Sequence, residues 1–374
     1  MIKKIVFKNY KAFKEEQTLE LRPITLLIGK NSSGKTSVCN LIHMLSQSLS
    51  TPVEEDLVIQ DNMDAFVRGG GILFHRGDYT SLEISGINES DASFVVDYLF
   101  SDGKTYLTKL ESHVNGSDTN TSFDEQTRAE INNSLYGALK YINVGNQSFA
   151  FTVNHILPIR HAGINILKES MYAPKEVSGD GKGAYDMLMH SYIHETPLYR
   201  NVSQWFEDNL EDQRLRMVSF ASPDSKFYLF MVGPNEIPIE HVGQGFQQVL
   251  PIIVETYNEN ASNVTIIEQP ALHLHPAAHA AVMHRIAESA KQLNRNYVIE
   301  SHSENMLLEL RRMISDPQCN LNPEDVIVYY IDMVEGVSYL KPIFISAEGE
   351  LSFWPTGVFG ESFELLSQIM QNRL

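Results

Sequence analysis

Apolar positions along this chain follow two rhythms. Near the N-terminus the short apolar runs "KKIVFKNY", "TLEL" and "ITLLI" fall within residues 2–28 and predict strands. The third run stops at Gly29, and a glycine-bearing loop follows. Val38, Leu41, Ile42 and Leu45 then recur at i, i+3, i+4 and i+7, which predicts a helix with one buried face. "SLEIS", "SFVVDYLF" and "KTYLTKL" predict three more strands before residue 111, with "SDG" as a turn between the last two. The polar stretch "ESHVNGSDTNTSFDEQ" reads as an exposed loop. From about 140 to 240 the pattern is mixed. Here "GAYDMLMHSYI" and "NVSQWFEDNL" are helical and "KFYLFMVG" is a strand. Beyond it strand and helix alternate: "NVTII", "AAHAAVMHRIAESAKQL", "NYVIE", then "ENMLLELRRMI" opened by a capping box of Ser301 and Glu304. Strand–helix–strand at this spacing argues for parallel pairing in a buried sheet. No heptad pattern is sustained, so no long coiled coil is expected.

Composition narrows the class. The chain has 374 residues, 43% apolar and 20% charged, which fits one large domain or two modest ones with a real core. A formal net charge of −18 argues against a protein that slides on bare DNA. Two cysteines, Cys39 and Cys319, make no disulfide framework, and Cys39 reads as a small core residue. No apolar run approaches the roughly 20 residues needed to span a bilayer, and the start "MIKKIVFKNYKAFK" lacks a signal-peptide core. The expectation is a cytoplasmic protein without a membrane segment.

Two stretches carry chemistry. "GKNSSGKT" holds Gly29, Lys30, Asn31, Ser32, Ser33, Gly34, Lys35 and Thr36, and Ser37 follows; it matches the phosphate-loop pattern G-x-x-x-x-G-K-[ST]. Glycines let backbone N–H groups turn toward phosphate oxygens, and the helix N-terminus favours the anion. Lys35 can reach the β and γ phosphates of ATP, and Thr36 can ligate Mg²⁺. The second stretch is "TIIEQPALHLHP", an apolar strand ending at Glu268 and Gln269. An ATPase uses such a strand end to hold Mg²⁺ and an attacking water, usually with two acids in a row. His273, His275 and His279 nearby do not fit a strong zinc spacing and read as structural or interface residues.

"NYKAF", Asn31 within the loop, and the distant "SHSEN" resemble the ABC-type ATPases of the SMC, RecF and OLD kind, many of them called AAA-family ATPases. "IEQPALHLHP" and "WPTGVFG" are similar to a subgroup of compact heads. The resemblance implies an α/β fold: a two-lobed P-loop ATPase head with a mixed sheet core flanked by helices, plus an antiparallel β subdomain. It places an N-terminal lobe at 1–150, and a helical middle segment with the C-terminal lobe at 151–374. By the same resemblance Glu268 holds the Mg²⁺-bound water, Gln269 stands where most members keep a glutamate, and His302 contacts the γ-phosphate. "HVGQGFQQVLP" is similar to a divergent signature motif that caps the ATP of a second protomer. In it Gly243 and Gly245 permit close backbone approach, Gln247 and Gln248 begin a helix facing phosphate, and Pro251 sits in that helix's first turn. Gln60 is a candidate metal contact, with a solvated surface side chain as the alternative.

The expected function follows. Phosphoryl transfer runs mainly on positioning and charge stabilisation, so Gln269 implies a slow site rather than a dead one, unless a second group such as His302 or Glu300 takes the proton. The leading expectation is a homodimerising ATP switch or clamp that regulates a separate effector, a nuclease or toxin in prokaryotic anti-phage defence. Only 72 residues follow His302, too few for a fused nuclease, so that activity is expected on another chain. DNA repair or chromosome maintenance of the RecF or SMC kind is the alternative. It would need a nucleic-acid surface built from the lysines of residues 3–14 or from Arg311 and Arg312. A non-hydrolysing ATP-dependent scaffold is a third possibility, and a transporter subunit fits least because the standard signature is missing.

Overall fold

The computed structural model describes residues 2–50, 81–101, 104–114, 117–122, 129–130, 149, 151–161, 163–164, 166–168, 173–210, 213–219, 226–354 and 358–359. In chain order the first elements are β1 (Ile2–Lys8), β2 (Gln17–Glu20), β3 (Ile24–Gly29), α1 (Lys35–Ser50), β4 (Ser81–Asn88), β5 (Ser93–Ser101), β6 (Lys104–Val114), β7 (Ser117–Ser122) and β8 (Ala129–Glu130). Then come β9 (Val153–Ile156), β10 (Ile166–Lys168), α2 (Gly183–Ile193), α3 (Pro197–Asn209), β11 (Arg214–Ser219), β12 (Lys226–Val232) and β13 (Glu236–Pro238). The last are α4 (Gln244–Thr256), β14 (Val264–Glu268), α5 (Pro276–Gln292), β15 (Asn296–Glu300), α6 (Glu304–Ser315), β16 (Val326–Val334) and β17 (Val337–Ile343).

Two compact units result, and residues 327–342 cluster with the N-terminal one rather than with the C-terminal half. The first unit holds an antiparallel sheet of order β2-β1-β4-β5-β6-β7, with β8 paired to β6. It also holds the strand row β17-β16-β3 and helix α1. All six positions of β3 are buried, as its unbroken apolar run requires. Val38, Leu41, Ile42 and Leu45 of α1 are all fully buried, so the helical period reads out as one core face. The second unit holds β15-β14-β9, helices α2–α6 and the small sheet β10-β12-β11 with β13. β14 and β15 run parallel with Glu268 opposite Glu300, and every position of β14 is buried.

Three expectations are corrected. The stretch expected as an exposed loop carries strand: β6 runs on to Val114 and pairs with β7 through Val114 opposite Ser117. Asn115-Gly116 between them is the dipeptide that favours two-residue hairpins, a signal masked by the polar composition around it. Helix α6 is entered from Ser303, not Ser301. The Ser301 hydroxyl instead accepts from the Ser303 N–H at 3.0 Å, so it lies two residues ahead of the helix's N-cap and forms no capping box with Glu304. Helix α4 starts at Gln244, so Pro251 lies in its interior rather than in its first turn. The helix absorbs the missing donor on a face pressed against Gly181, where an added Cβ would come within 2.8 Å of the proline ring.

Candidate functional site

The phosphate loop is built inside the first unit. Gly29 (φ 153°) and Gly34 (φ 108°) occupy backbone conformations that suit glycine, with Ser32 (φ 61°) between them in the left-handed region. A Cβ on Gly29 would lie 2.5 Å from the Ile331 carbonyl oxygen of β16, and one on Gly34 would meet the Phe13 ring at 3.0 Å. "NYKAF" supports this loop by forming the turn beneath it. Its Tyr10 hydroxyl donates to the Ser37 carbonyl at 3.0 Å, and Phe13 packs under Gly34. From β17 the Ser338 hydroxyl donates to the Ser33 carbonyl at 2.7 Å. The Lys35 ammonium lies within the loop, donating to the carbonyls of Gly29 at 3.1 Å and Lys30 at 2.8 Å. Lys30, Asn31, Ser32 and Thr36 are exposed. The Ser33 hydroxyl oxygen is buried and has no hydrogen-bond partner among the described residues. A buried, unpaired hydroxyl in a glycine-shaped cradle beside a buried ammonium fits a bound phosphate chain. Below the loop, burial pushes the Lys11 ammonium down to about 8.

The acidic corner is built inside the second unit, at the end of β14. Glu268 is buried, and its Oε1 accepts from His155 Nε2 at 2.8 Å. An ionised carboxylate only accepts, so the imidazole is the donor here. Among the described residues the other carboxylate oxygen of Glu268 makes no hydrogen bond, which leaves a lone-pair face that fits a divalent cation. Gln269 follows with φ 47°, an uncommon backbone conformation for a residue other than glycine. Its N–H donates to the Glu300 carbonyl at 2.8 Å, and its side-chain amide, half-buried, has no hydrogen-bond partner among the described residues.

His155 and Arg160 were not foreseen from the sequence. Arg160 is buried. Its Nη2 donates to the carbonyls of Glu268 at 2.5 Å and Gln269 at 3.4 Å, and its Nη1 donates to the carbonyl of Gln248 at 3.2 Å. Burial pushes this guanidinium down to about 10, with the charge of Glu268 opposing the shift. The Gln248 side chain closes the bracket: its Oε1 accepts from the Arg160 N–H at 3.0 Å and its Nε2 donates to the Arg160 carbonyl at 2.9 Å.

The glycine–glutamine segment that opens α4 is likewise held by its own chain. A Cβ on Gly243 would make only ordinary contact with the Phe246 ring at 3.9 Å, whereas one on Gly245 would lie 2.6 Å from the His273 carbonyl oxygen. The close approach that Gly245 permits is therefore to the loop after β14. Gln247 is buried, its Oε1 accepts from the Gly163 N–H at 3.0 Å, and its Nε2 lies 2.8 Å from the Val242 carbonyl oxygen. Both glutamine side chains thus fasten neighbouring segments instead of projecting from a helix N-terminus.

His302 is exposed just after β15. His275 caps α5 by accepting from the Ala277 N–H at 3.3 Å. His279 Nδ1 lies 2.8 Å from the Ser303 hydroxyl, and burial holds its pKa below the usual imidazole value. His273 takes φ 63° in the intervening loop. Gln60 lies outside the described residues.

Residues 24–309 match a family model described as "AAA domain, putative AbiEii toxin, Type IV TA system". Residues 321–369 match one described as "Protein of unknown function (DUF3696)". No curated protein matches the chain. Among solved structures it is similar to the Smc head domain with an extended coiled coil bound to the C-terminal domain of ScpA derived from Pyrococcus furiosus. That likeness has 13% identity and a TM-score of 0.54, and it covers 99% of each chain. It is also similar to the SmcHead bound to the C-winged helix domain of ScpA, at 15% identity and a TM-score of 0.54, covering 92% of this chain and 97% of that one. The SMC head domain from Thermotoga maritima aligns at 12% identity with a TM-score of 0.46, covering 91% and 98%. The fold is that of an α/β P-loop head with an added antiparallel sheet, and no long coiled coil occurs among the described residues.

Proposed function

The chain belongs to the AbiEii-type AAA-domain family, and from that premise we propose that it binds Mg²⁺–ATP, hydrolyses it slowly and works as an ATP-gated switch. The observation that carries the proposal is the phosphate loop: a buried Lys35 ammonium and an unpaired buried Ser33 hydroxyl inside a backbone that only glycine fits at 29 and 34. In this reading the loop from Gly29 to Ser37 takes the phosphates, and the acidic corner is a candidate cation and water site. Main-chain N–H groups of residues 30–36 hold the phosphates, Lys35 neutralises the β and γ oxygens, and Thr36 and Glu268 are each candidate Mg²⁺ ligands. Bound Mg²⁺ supplies charge neutralisation for the γ-phosphoryl group. Gln269 orients the water through its amide, and His302 contacts the γ-phosphate. Gln60 is kept as a candidate metal contact.

The left-handed backbone at Gln269 and His273 supports a functional reading of this corner, since such conformations cluster at active sites. We further propose that two copies pair, with the Gly243–Gly245 loop of one closing over the nucleotide of the other while Gln247 and Gln248 hold that loop in shape. The output is control of a separate effector, a nuclease or toxin in anti-phage defence, within the cytoplasm. The AbiEii description supports this direction, and the net charge of −18 weighs against DNA as the main partner.

The test is calorimetric titration of Mg²⁺–ATP into the parent and into Lys35→Ala. Removing the ammonium is expected to weaken binding at least tenfold, about 1.4 kcal/mol. Equal affinities would overturn the assignment. Phosphate release by the parent separates a slow ATPase from an ATP-dependent scaffold that never hydrolyses.

A further inference from the structure

The Glu268–Gln269 corner and the start of α4 are joined by a single side chain. Arg160 touches both carbonyls of the corner, and its own peptide N–H and carbonyl are paired with the two ends of the Gln248 amide. A third bond ties its Nη1 to the Gln248 carbonyl. The residue is nearly sealed, at 3% exposure, and its Nε has no hydrogen-bond partner among the described residues. An arginine that served only to fill the core would be a costly choice there, because burial disfavours its charge. Its geometry suits a coupling role instead. The guanidinium is a rigid planar fork, so a shift of Gln248 with α4 moves Arg160 and pulls on the carbonyls of 268 and 269 together.

A second contact runs beside it. Gly245 packs its backbone on the His273 carbonyl, so the start of α4 also rests on the loop that follows Gln269. On its other side the Arg160 segment is pinned. The N–H groups of Leu157 and His161 donate to the carbonyls of Gly179 and Asp180, at 3.0 Å and 2.6 Å. The bracket can therefore respond to α4 without carrying its whole strand along.

We propose that Arg160 is a positioning residue that couples the placement of α4 to the backbone geometry of Glu268 and Gln269. The inference rests on the ATPase reading of that corner, and it deepens it: a partner or nucleotide that engages the 243–248 loop would tune hydrolysis through Arg160. Arg160 touches no reacting atom in this scheme.

The experiment uses the full chain carrying Arg160→Lys or Gln248→Ala. In the nucleotide-free protein, amide hydrogen exchange of residues 269–274 should quicken about tenfold in each variant, a size typical of single-residue coupling. Exchange in β15 should stay at the parent rate. With Mg²⁺–ATP, single-turnover hydrolysis should slow about tenfold while affinity stays within about threefold, a split that a merely structural defect would not give. If Arg160→Lys does not fold, Gln248→Ala decides alone, since Gln248 is only half-buried and its side chain hydrogen-bonds Arg160 and not Glu268 or Gln269. Unchanged exchange at 269–274 in a folded variant overturns the coupling. So does a variant that loses affinity but keeps the parent's hydrolysis rate. Failure of the parent to bind ATP would instead sink the ATPase reading, and the exchange measurement would still judge the coupling.

Discussion

Replacing His155 tests how the acidic corner is held. The pair is close and dry: His155 Nε2 lies 2.8 Å from Glu268 Oε1, and each side chain is 5% exposed. Removing one partner of a buried pair costs about 3–5 kcal/mol, because the other is left uncompensated. Arg160 still faces Glu268 after the change, so the lower end, about 3 kcal/mol, is expected for His155→Ala. For a unit of roughly 200 residues this lowers the thermal midpoint by about 6–12 °C. His155→Gln keeps an N–H donor within reach, and the loss should stay below about 1.5 kcal/mol. Thermal unfolding followed by circular dichroism in EDTA measures both.

A second arm asks what Glu268 is for. In the parent, a cation must share Glu268 with the imidazole. In His155→Ala the carboxylate is left with Arg160 alone, so added Mg²⁺ should recover part of the lost stability. Mass action allows about 2.7 kcal/mol at a hundredfold excess over the dissociation constant. Glu268→Gln in the same background should abolish that recovery. The reasoning is refuted if His155→Ala unfolds within about 2 °C of the parent, a shift smaller than 1 kcal/mol would give. It is equally refuted if His155→Gln is as unstable as His155→Ala.

Three further outcomes are expected. Gly245→Ala should cost about 1–3 kcal/mol in chemical denaturation, because its Cβ would fall 2.6 Å from the His273 carbonyl oxygen and backbone must move; an unchanged midpoint would show the contact to be soft. Gln269→Glu should leave ATP affinity intact and raise single-turnover hydrolysis, Gln269→Ala should lower it, and parent-rate hydrolysis by Gln269→Ala would make the residue a bystander. His284 is held up to about 9 by hydrogen bonds to Glu288 and Glu309, so its stabilisation is fully present below about pH 6.5 and is lost as pH rises through about 9. Its side chain is more than a third exposed, which limits the effect to about 1 kcal/mol after solvent screening. The thermal midpoint of His284→Gln should accordingly vary less over that window than the parent's.

The parts that the sequence discloses are those whose signal is local. The strands β3, β14 and β15 are short unbroken apolar runs, and burial on both faces demands just that pattern. Helix α1 follows a loop whose glycines are dictated by backbone geometry. Hairpin β6–β7 escaped because β7, "SDTNTS", has no apolar alternation; its only local mark is the Asn115-Gly116 pair. The start of α4 was misplaced because a proline in a first turn is the commoner case, whereas here an interior proline is accommodated beside Gly181. His155 and Arg160 were illegible for a different reason. They lie 113 and 108 residues before Glu268, and only the placement of β9 beside β14 brings that segment to the corner. Their local trace is a histidine and an arginine inside the apolar stretch "NHILPIRH", a pattern shared by many edge strands.

The glutamine at 269 is best understood from what the corner fixes and what it leaves loose. Its main chain is held at both ends, by the Glu300 carbonyl on the N–H and by Arg160 on the carbonyl. Its side-chain amide, by contrast, has no partner among the described residues and is half-buried at the strand end. A loose phosphoryl transition state asks for a water held in line and for neutralised oxygens more than for a strong base. On the proposed reading, a pinned backbone carrying an uncommitted amide would meet the first demand. A second carboxylate does stand at this corner: Glu300 is buried opposite Glu268, with an oxygen within 4.8 Å of one of Glu268's, and under the proposed reading it is a candidate, with His302, to take the water's proton. Under that reading, a glutamine in place of a glutamate at 269 lowers the rate while binding and orientation are kept. The proposed switch needs a long-lived ATP state, and a glutamine at 269 would lengthen that state at the expense of turnover.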